Sequence, residues 1–252
     1  HLAVDDLGAE VDDDAAVDEL RGDLLGVPGR YQLVLFAVHQ QHRHADVRGE
    51  CACRELPGLR AVAAHQRRLA AELGLAIVAP DTSPRGDDVA DDAASYDFGK
   101  GAGFYVDATQ EPWRKHYRMY SYLTEELPWL VAANFAVDPA RAGIFGHSMG
   151  GHGALVLALR NPQRFKSASA FAPISSPVRC PWGEKAFSAY LGDDREAWKQ
   201  WDATALVARA VERLPLLVDQ GDADNFLQEQ LRPHLLREAC EKAGVPLELR
   251  LR

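Results

Sequence analysis

Ser148 stands in Gly146-His147-Ser148-Met149-Gly150, a G-x-S-x-G spacing, with Gly151 and Gly153 close behind it. Arg141 to Phe145 reads as a short strand in front, and Ala154 to Leu159 as an apolar helix face behind. A serine on so tight a strand-to-helix turn must adopt an unfavourable backbone conformation, and glycines on either side leave room for strand and helix to approach. Its hydroxyl then projects above a sheet as a nucleophile. The next backbone N–H, that of Met149, opens a helix whose unpaired donors and dipole favour developing negative charge, which makes it an oxyanion donor. The bland alternative is a glycine-rich turn without chemistry. A serine hydroxyl also needs a base, and the base needs a carboxylate to orient it. Asp219, Asp222 and Asp224 follow the apolar run Leu214 to Val218 and supply candidates. His147 and His152 flank the nucleophile, but a neighbour on an elbow points away from the serine oxygen, so neither is expected to be the base.

The remaining elements must hold these groups. Tyr31 to Val38 is an apolar run that reads as a strand, Ala61 to Leu73 as a helix stopped by Gly74, and Leu75 to Ala79 as a strand. That alternation predicts an α/β fold around a mostly parallel central sheet, buried on both faces with helices against each. Residues 81–105 form a loop far longer than an ordinary connection, and such loops usually border a site. Trp113 to Phe135 is expected to be mostly helical, kinked at Pro128. A strand over Ser167 to Phe171, a helix over Glu184 to Tyr190, caps at Asp194 and Asp202, a helix over Leu227 to Ala243 and a strand over Leu247 to Leu251 complete the pattern. The acid loop 219–224 falls at the carboxyl edge of the sheet, where such folds place their ligands.

At 252 residues, 47% hydrophobic and 26% charged, the chain has the composition of one globular α/β domain. The net charge of −9 is concentrated in residues 1–23, which carry nine acids against Arg21 alone. No basic field argues for nucleic acid, and no apolar run has the length of a membrane span. Cys51, Cys53, Cys180 and Cys240 form neither a metal spacing nor a disulfide framework, and no signal-peptide pattern opens the sequence, so a cytoplasmic protein is expected. His39, His42 and His44 lack an acidic or cysteine partner at a ligand spacing and read as a solvated loop. No metal and no organic cofactor is implied.

Gly146 to Leu155, Phe171 to Ile174, Cys180 to Ser188 and Asp219 to Leu227, with Ala79 to Gly86 and Gly99 to Tyr105 before them, closely resemble the S-formylglutathione hydrolase family, also called esterase D. The resemblance covers roughly residues 66–252. It implies an α/β-hydrolase fold and hydrolysis of the thioester S-formylglutathione to glutathione and formate, as in formaldehyde detoxification. It implies Ser148 as nucleophile, Asp224 as acid, since that aspartate precedes Asn225-Phe226, and a homodimer. Asp219 and Asp222 then read as turn formers. Trp182, Lys185 and Lys100 are candidate substrate walls, and Cys180 a packed neighbour of the site. Two departures follow from the same comparison. The family's Gly-Leu-Thr-Cys oxyanion loop has no match, and residues 1–60 are expected to be either a disordered acidic segment, the product of a shifted reading frame, or a divergent lobe. The family's histidine, in Gly-Tyr-Asp-His after the last strand, also has no counterpart; no histidine follows His234. The α/β-hydrolase domain of residues 61–252 is thus expected to be incomplete at both ends and impaired for want of the base. The alternatives are a general short-chain carboxylesterase and a non-catalytic binding protein that retains the pocket.

Overall fold

The computed structural model of the chain describes the backbone of residues 31–37 and all of residues 68–252. Six strands form one sheet: β1 (Tyr31–Ala37), β2 (Leu75–Val78), β3 (Val137–His147), β4 (Phe165–Phe171), β5 (Leu216–Gln220) and β6 (Leu247–Leu251). Their order is β2-β1-β3-β4-β5-β6, and all five pairings are parallel. Parallel pairing requires crossovers, and the helices that supply them flank the sheet. The principal ones are α1 (Leu127–Asn134), α2 (Met149–Arg160), α3 (Pro181–Leu191), α4 (Ala203–Val207) and α5 (Pro233–Ala243).

The strands run in the direction that brings Ala37, His147, Phe171 and Gln220 to one edge. Register pairs Ala37 with Gly146, His147 with Phe171, and Phe171 with Asp219. Everything with chemistry in it therefore leaves the sheet at its carboxyl edge. β1 comes from within residues 1–60 and yet lies between β2 and β3, so the sheet draws a strand from the part of the sequence without a family match.

α2 is the centre of the molecule. It packs on β3 and β4, and every residue from Met149 to Ala158 is buried. A single apolar face, as its sequence suggests, understates this: a helix covered on all sides must be apolar or small all round, and Gly150, Gly151 and Gly153 are its way of being small.

Three elements differ from their sequence-based reading. β2 is the edge strand among those described, and Ile77 is 41% exposed rather than buried on both sides. The segment 113–135 is divided into a 3₁₀ turn at Trp113–Lys115, a short α turn at Met119–Ser121, a π turn at Tyr122–Glu126 and then α1. Pro128 has no N–H to give to the carbonyl four residues back, and the wider π turn sits directly before it. The helix read over Leu227 to Ala243 is likewise two pieces. A π turn at Leu227–Leu231 ends at Arg232, whose φ is +48°, and α5 restarts at Pro233, which again has no N–H to continue the ladder.

Other local readings hold. Asp194 accepts from the N–H groups of Glu196 and Ala197, and Asp202 accepts from Ala205 N–H at 2.9 Å, so each caps the helical turn that follows it. Gly74 and Gly244 close their helices at φ +65° and +66°, the left-handed stop that glycine adopts without a Cβ penalty.

Candidate functional site

Ser148 joins β3 to α2 with φ +55° and ψ −117°. A residue with a Cβ has no comfortable minimum there, so the turn persists only because its surroundings dictate it. They do so through the backbone. Ser148 N–H donates to Phe171 O at 2.8 Å, and Ser148 O accepts from His152 N–H at 3.0 Å and from Ile174 N–H at 3.4 Å. Sterics complete the frame. A Cβ on Gly151 would stand 3.0 Å from the Pro173 side chain and 3.2 Å from Gly146 O, and one on Gly153 would stand 2.4 Å from the Tyr105 ring. The Ser148 side chain is half-buried, and among the described residues nothing hydrogen-bonds its hydroxyl. Met149 N–H is the first donor of α2. It finds no acceptor among the described residues, which leaves it available to an anion at the turn.

The acid loop begins where β5 ends. Asp224 is half-buried; its Oδ1 accepts from Phe226 N–H at 2.8 Å and its Oδ2 from Gln220 Nε2 at 3.5 Å. The aspartate with the turn-forming bond is therefore Asp224 itself. Asp219 instead holds Arg252, with Nε 2.9 Å from Oδ2, and the Asp222 side chain is exposed, with no bond among the described residues. Arg252 is stitched to this loop twice more: its N–H donates to Gln220 O at 2.9 Å, and its carbonyl accepts from Asp222 N–H at 2.7 Å. Gln220, 1% exposed and in contact with Asp224, was not singled out by sequence, because a glutamine in a strand carries no signal until its neighbour is known.

Four histidines lie among the described residues. His147 sits at the mouth of the turn; burial lowers its pKa, and the nearby Asp224 carboxylate opposes that shift. It bonds to neither Ser148 nor Asp224. His152 is wholly buried and donates Nε2–H to Phe104 O at 3.0 Å; burial holds its pKa down to about 4, against the upward pull of that hydrogen bond. His116 faces Asp88 at 3.3 Å, and His234 lies in the first turn of α5. His39, His42 and His44 fall outside the described residues, as do Cys51 and Cys53. Among the described residues there is no cluster of three or more His, Cys, Asp or Glu fit to hold a metal ion, and no helix is long and apolar enough to cross a membrane.

Of the candidate walls, Trp182 is brought to the acid loop. Its ring lies 4.8 Å from that of Phe226, the residue whose N–H caps Asp224, and its own N–H donates to Gln230 Oε1 at 3.1 Å. Lys185 points elsewhere: its Nζ bonds Asp97 at 2.7 Å and Ser95 at 2.8 Å, tying α3 to the long loop. Lys100 is half-buried, and its ammonium has no partner among the described residues. Cys180 is 1% exposed, and burial pushes its thiol up to about 11, which keeps it protonated and unreactive. The long loop is sewn down rather than loose. Tyr190 OH accepts from Gly99 N–H and donates to Ala102 O, Thr82 Oγ1 donates to Gly101 O, and Gly101 N–H donates to Ser83 Oγ.

Residues 58–251 match the model of a family described as putative esterase. Curated relatives are the S-formylglutathione hydrolases of Mus musculus, 56% identical, and Rattus norvegicus, 54% identical, each over 187 residues. That match takes in 73% of this chain and 66% of each relative, so the chain spans a little under two thirds of their length. Among solved structures, an S-formylglutathione hydrolase from Agrobacterium tumefaciens is 46% identical with a TM-score of 0.80, covering 91% of this chain and 78% of that one. A ferulic acid esterase at 20% identity and TM-score 0.58 shares the fold alone. With the parallel sheet, the strained serine turn and these matches together, the chain belongs to the esterase family of α/β-hydrolases, on its S-formylglutathione hydrolase branch.

Proposed function

We propose that the protein hydrolyses the thioester S-formylglutathione to glutathione and formate. The observation that carries the chemistry is Ser148 at φ +55° between β3 and α2, with the Met149 N–H beside it, which has no acceptor among the described residues. The substrate comes from the relatives, which are named for it. In this reading Ser148 Oγ attacks the formyl carbon, and Met149 N–H donates to the oxyanion. The glutathione thiolate leaves, and water releases formate from the formylated serine. A thiolate is a good leaving group, so the greater part of the barrier lies in forming the oxyanion, which is where a helix N-terminus helps.

Asp224 is the acid in this proposal, oriented by Gln220 and the Phe226 N–H. The base is a histidine other than His116, His147, His152 and His234, since none of these is aligned with Ser148. The resemblance puts the family's histidine just beyond the strand that corresponds to β6, and the three bonds that fasten Arg252 to the acid loop, which bring the end of β6 to Asp219 and Asp222, support that reading. The resemblance assigns the second oxyanion donor to the family's Gly-Leu-Thr-Cys loop, and the end of β1 pairs with Gly146 beside the nucleophile. β1 is then part of the hydrolase domain. Trp182 and Phe226 form a substrate wall; the cysteine pattern assigns the protein to the cytoplasm, and the resemblance makes it a homodimer.

The test compares kcat/KM for S-formylglutathione with that for a short aryl ester, alongside labelling of Ser148 by a fluorophosphonate. A strong preference for the thioester is expected. Equal rates on both would replace this reading with a general carboxylesterase, and glutathione binding with no labelling would replace it with a binding protein.

A further inference from the structure

One turn behind the nucleophile, α2 holds an imidazole that the reaction does not use. His152 is 0% exposed, and its Nε2 lies 3.0 Å from Phe104 O. A carbonyl can only accept, so Nε2 carries the proton. Nδ1 is then a buried acceptor, and no donor reaches it among the described residues. An unpaired buried acceptor is costly, and an apolar side chain of the same volume would avoid that cost. What the histidine contributes that such a residue cannot is the bond to Phe104.

That bond lands on an unusual place. Phe104 and Tyr105 have φ +49° and +55°, two successive non-glycine residues in the left-handed region. Such a pair relaxes unless its surroundings forbid it. α2 supplies the restraint through two adjacent residues: His152 grips the Phe104 carbonyl, and Gly153, by lacking a Cβ, admits the Tyr105 ring. On its other side the loop is held to Thr82 through Gly103 N–H and to the Tyr190 hydroxyl through Gly99 and Ala102. Lys100 sits inside this stitched stretch, its ammonium unpaired among the described residues, whereas Lys185 nearby is consumed by Asp97. A cation without a partner among the described residues, on a loop fastened to the nucleophile helix, suits an anionic part of the substrate, and glutathione has two carboxylates.

We propose that His152 is a positioning residue, which locks the 99–105 loop to the nucleophile helix so that Lys100 meets a carboxylate of the glutathione moiety. This rests on the S-formylglutathione reading above. Without the Nε2–H, the Phe104–Tyr105 backbone relaxes and Lys100 leaves its place, while the Ser148 turn, held by its own bonds to Phe171 and Ile174, stays.

Binding of S-methylglutathione, an unreactive thioether, tests this by calorimetry without needing turnover. His152→Leu, which fills the space without a donor, and Lys100→Met should each weaken binding at least about tenfold. His152→Gln, which keeps an N–H donor, should stay within about threefold of the parent. The ¹⁵N shifts of His152 in the parent should report the Nε2–H tautomer, and an Nδ1–H tautomer would overturn the proposal. So would a folded His152→Leu protein with a lowered Tm but unchanged affinity, since that is what a packing role alone predicts. Where His152→Leu does not fold, parent-like affinity in Lys100→Met overturns it. A parent protein that fails to bind S-methylglutathione sinks the glutathione reading, and this inference with it; a parent that binds with variants that bind equally sinks only the inference.

Discussion

The nucleophile turn and the acid loop lie at the same edge of the sheet but are held by different means. Around Ser148 the restraints are backbone hydrogen bonds between buried segments and glycines pressed to contact distance against Pro173 and Tyr105. Around Asp224 the frame is looser: the buried Gln220 reaches it only at 3.5 Å, Phe226 N–H and the backbone of Arg252 hold an exposed loop, and a Cβ added to Gly221 would meet nothing closer than 3.9 Å. A close-packed site resists displacement because every shift costs contacts, whereas an open one moves cheaply. The nucleophile is thus built into the core, and the acid is set by a loop that other parts of the chain must steady.

The largest effect that tests the contrast is chemical. In a polypeptide carrying a family-type Gly-Tyr-Asp-His tail, Ser148→Ala should lower kcat by a factor on the order of 10⁶, the loss seen when a triad serine is removed, while the thermal midpoint stays close to the parent's. Activity within tenfold of the parent would mean that the turn is a fold feature and not the nucleophile. Asp224→Asn should follow with a loss on the order of 10⁴, as for a base left in the wrong tautomer, against a few-fold for Asp222→Asn, whose side chain is exposed and has no bond among the described residues. Comparable losses in the two variants would move the acid elsewhere in the loop.

Packing gives the next largest difference. Gly153→Val drives a side chain into the Tyr105 ring and should cost about 3 kcal/mol in urea unfolding, whereas Gly221→Ala, in open space, should change stability by less than about 0.5 kcal/mol. Similar values for both would show that the two regions are equally tolerant. The smallest expected effect is a pH dependence. His152 titrates near 4 when folded and near 6.5 when unfolded, so between those values the unfolded chain binds the extra proton and stability falls as pH falls. The loss between pH 7 and pH 5 should be about 2 kcal/mol, and His152→Leu should remove that slope. A slope unchanged in the variant would place the acid sensitivity on other groups.

None of the four described histidines hydrogen-bonds Ser148 through its ring. His152 shows why this needed three dimensions. By spacing it is one turn from the serine, and only the burial of that face and the position of Phe104 O reveal that its proton is already spoken for.

Local chemistry was legible in the sequence wherever a short segment decides its own structure. The G-x-S-x-G turn, the capping aspartates Asp194 and Asp202, the stops at Gly74 and Gly244, and the strands read from Leu75, Ser167, Leu214 and Leu247 all rest on propensity and pattern over a few residues, which leaves the strand ends off by up to about two residues. So, in principle, did the break at Arg232, since Pro233 forbids the helix to run through it. What the tertiary structure alone decided is which partner each polar group finds. Lys185 reads as a substrate wall until Asp97 is seen 2.7 Å away, Asp219 reads as a turn former until Arg252 arrives from the last strand, and nothing near Gln220 in sequence announces that it touches Asp224. Those pairings join residues up to 88 apart in the chain, and their strength depends on burial and distance, which a sequence does not carry.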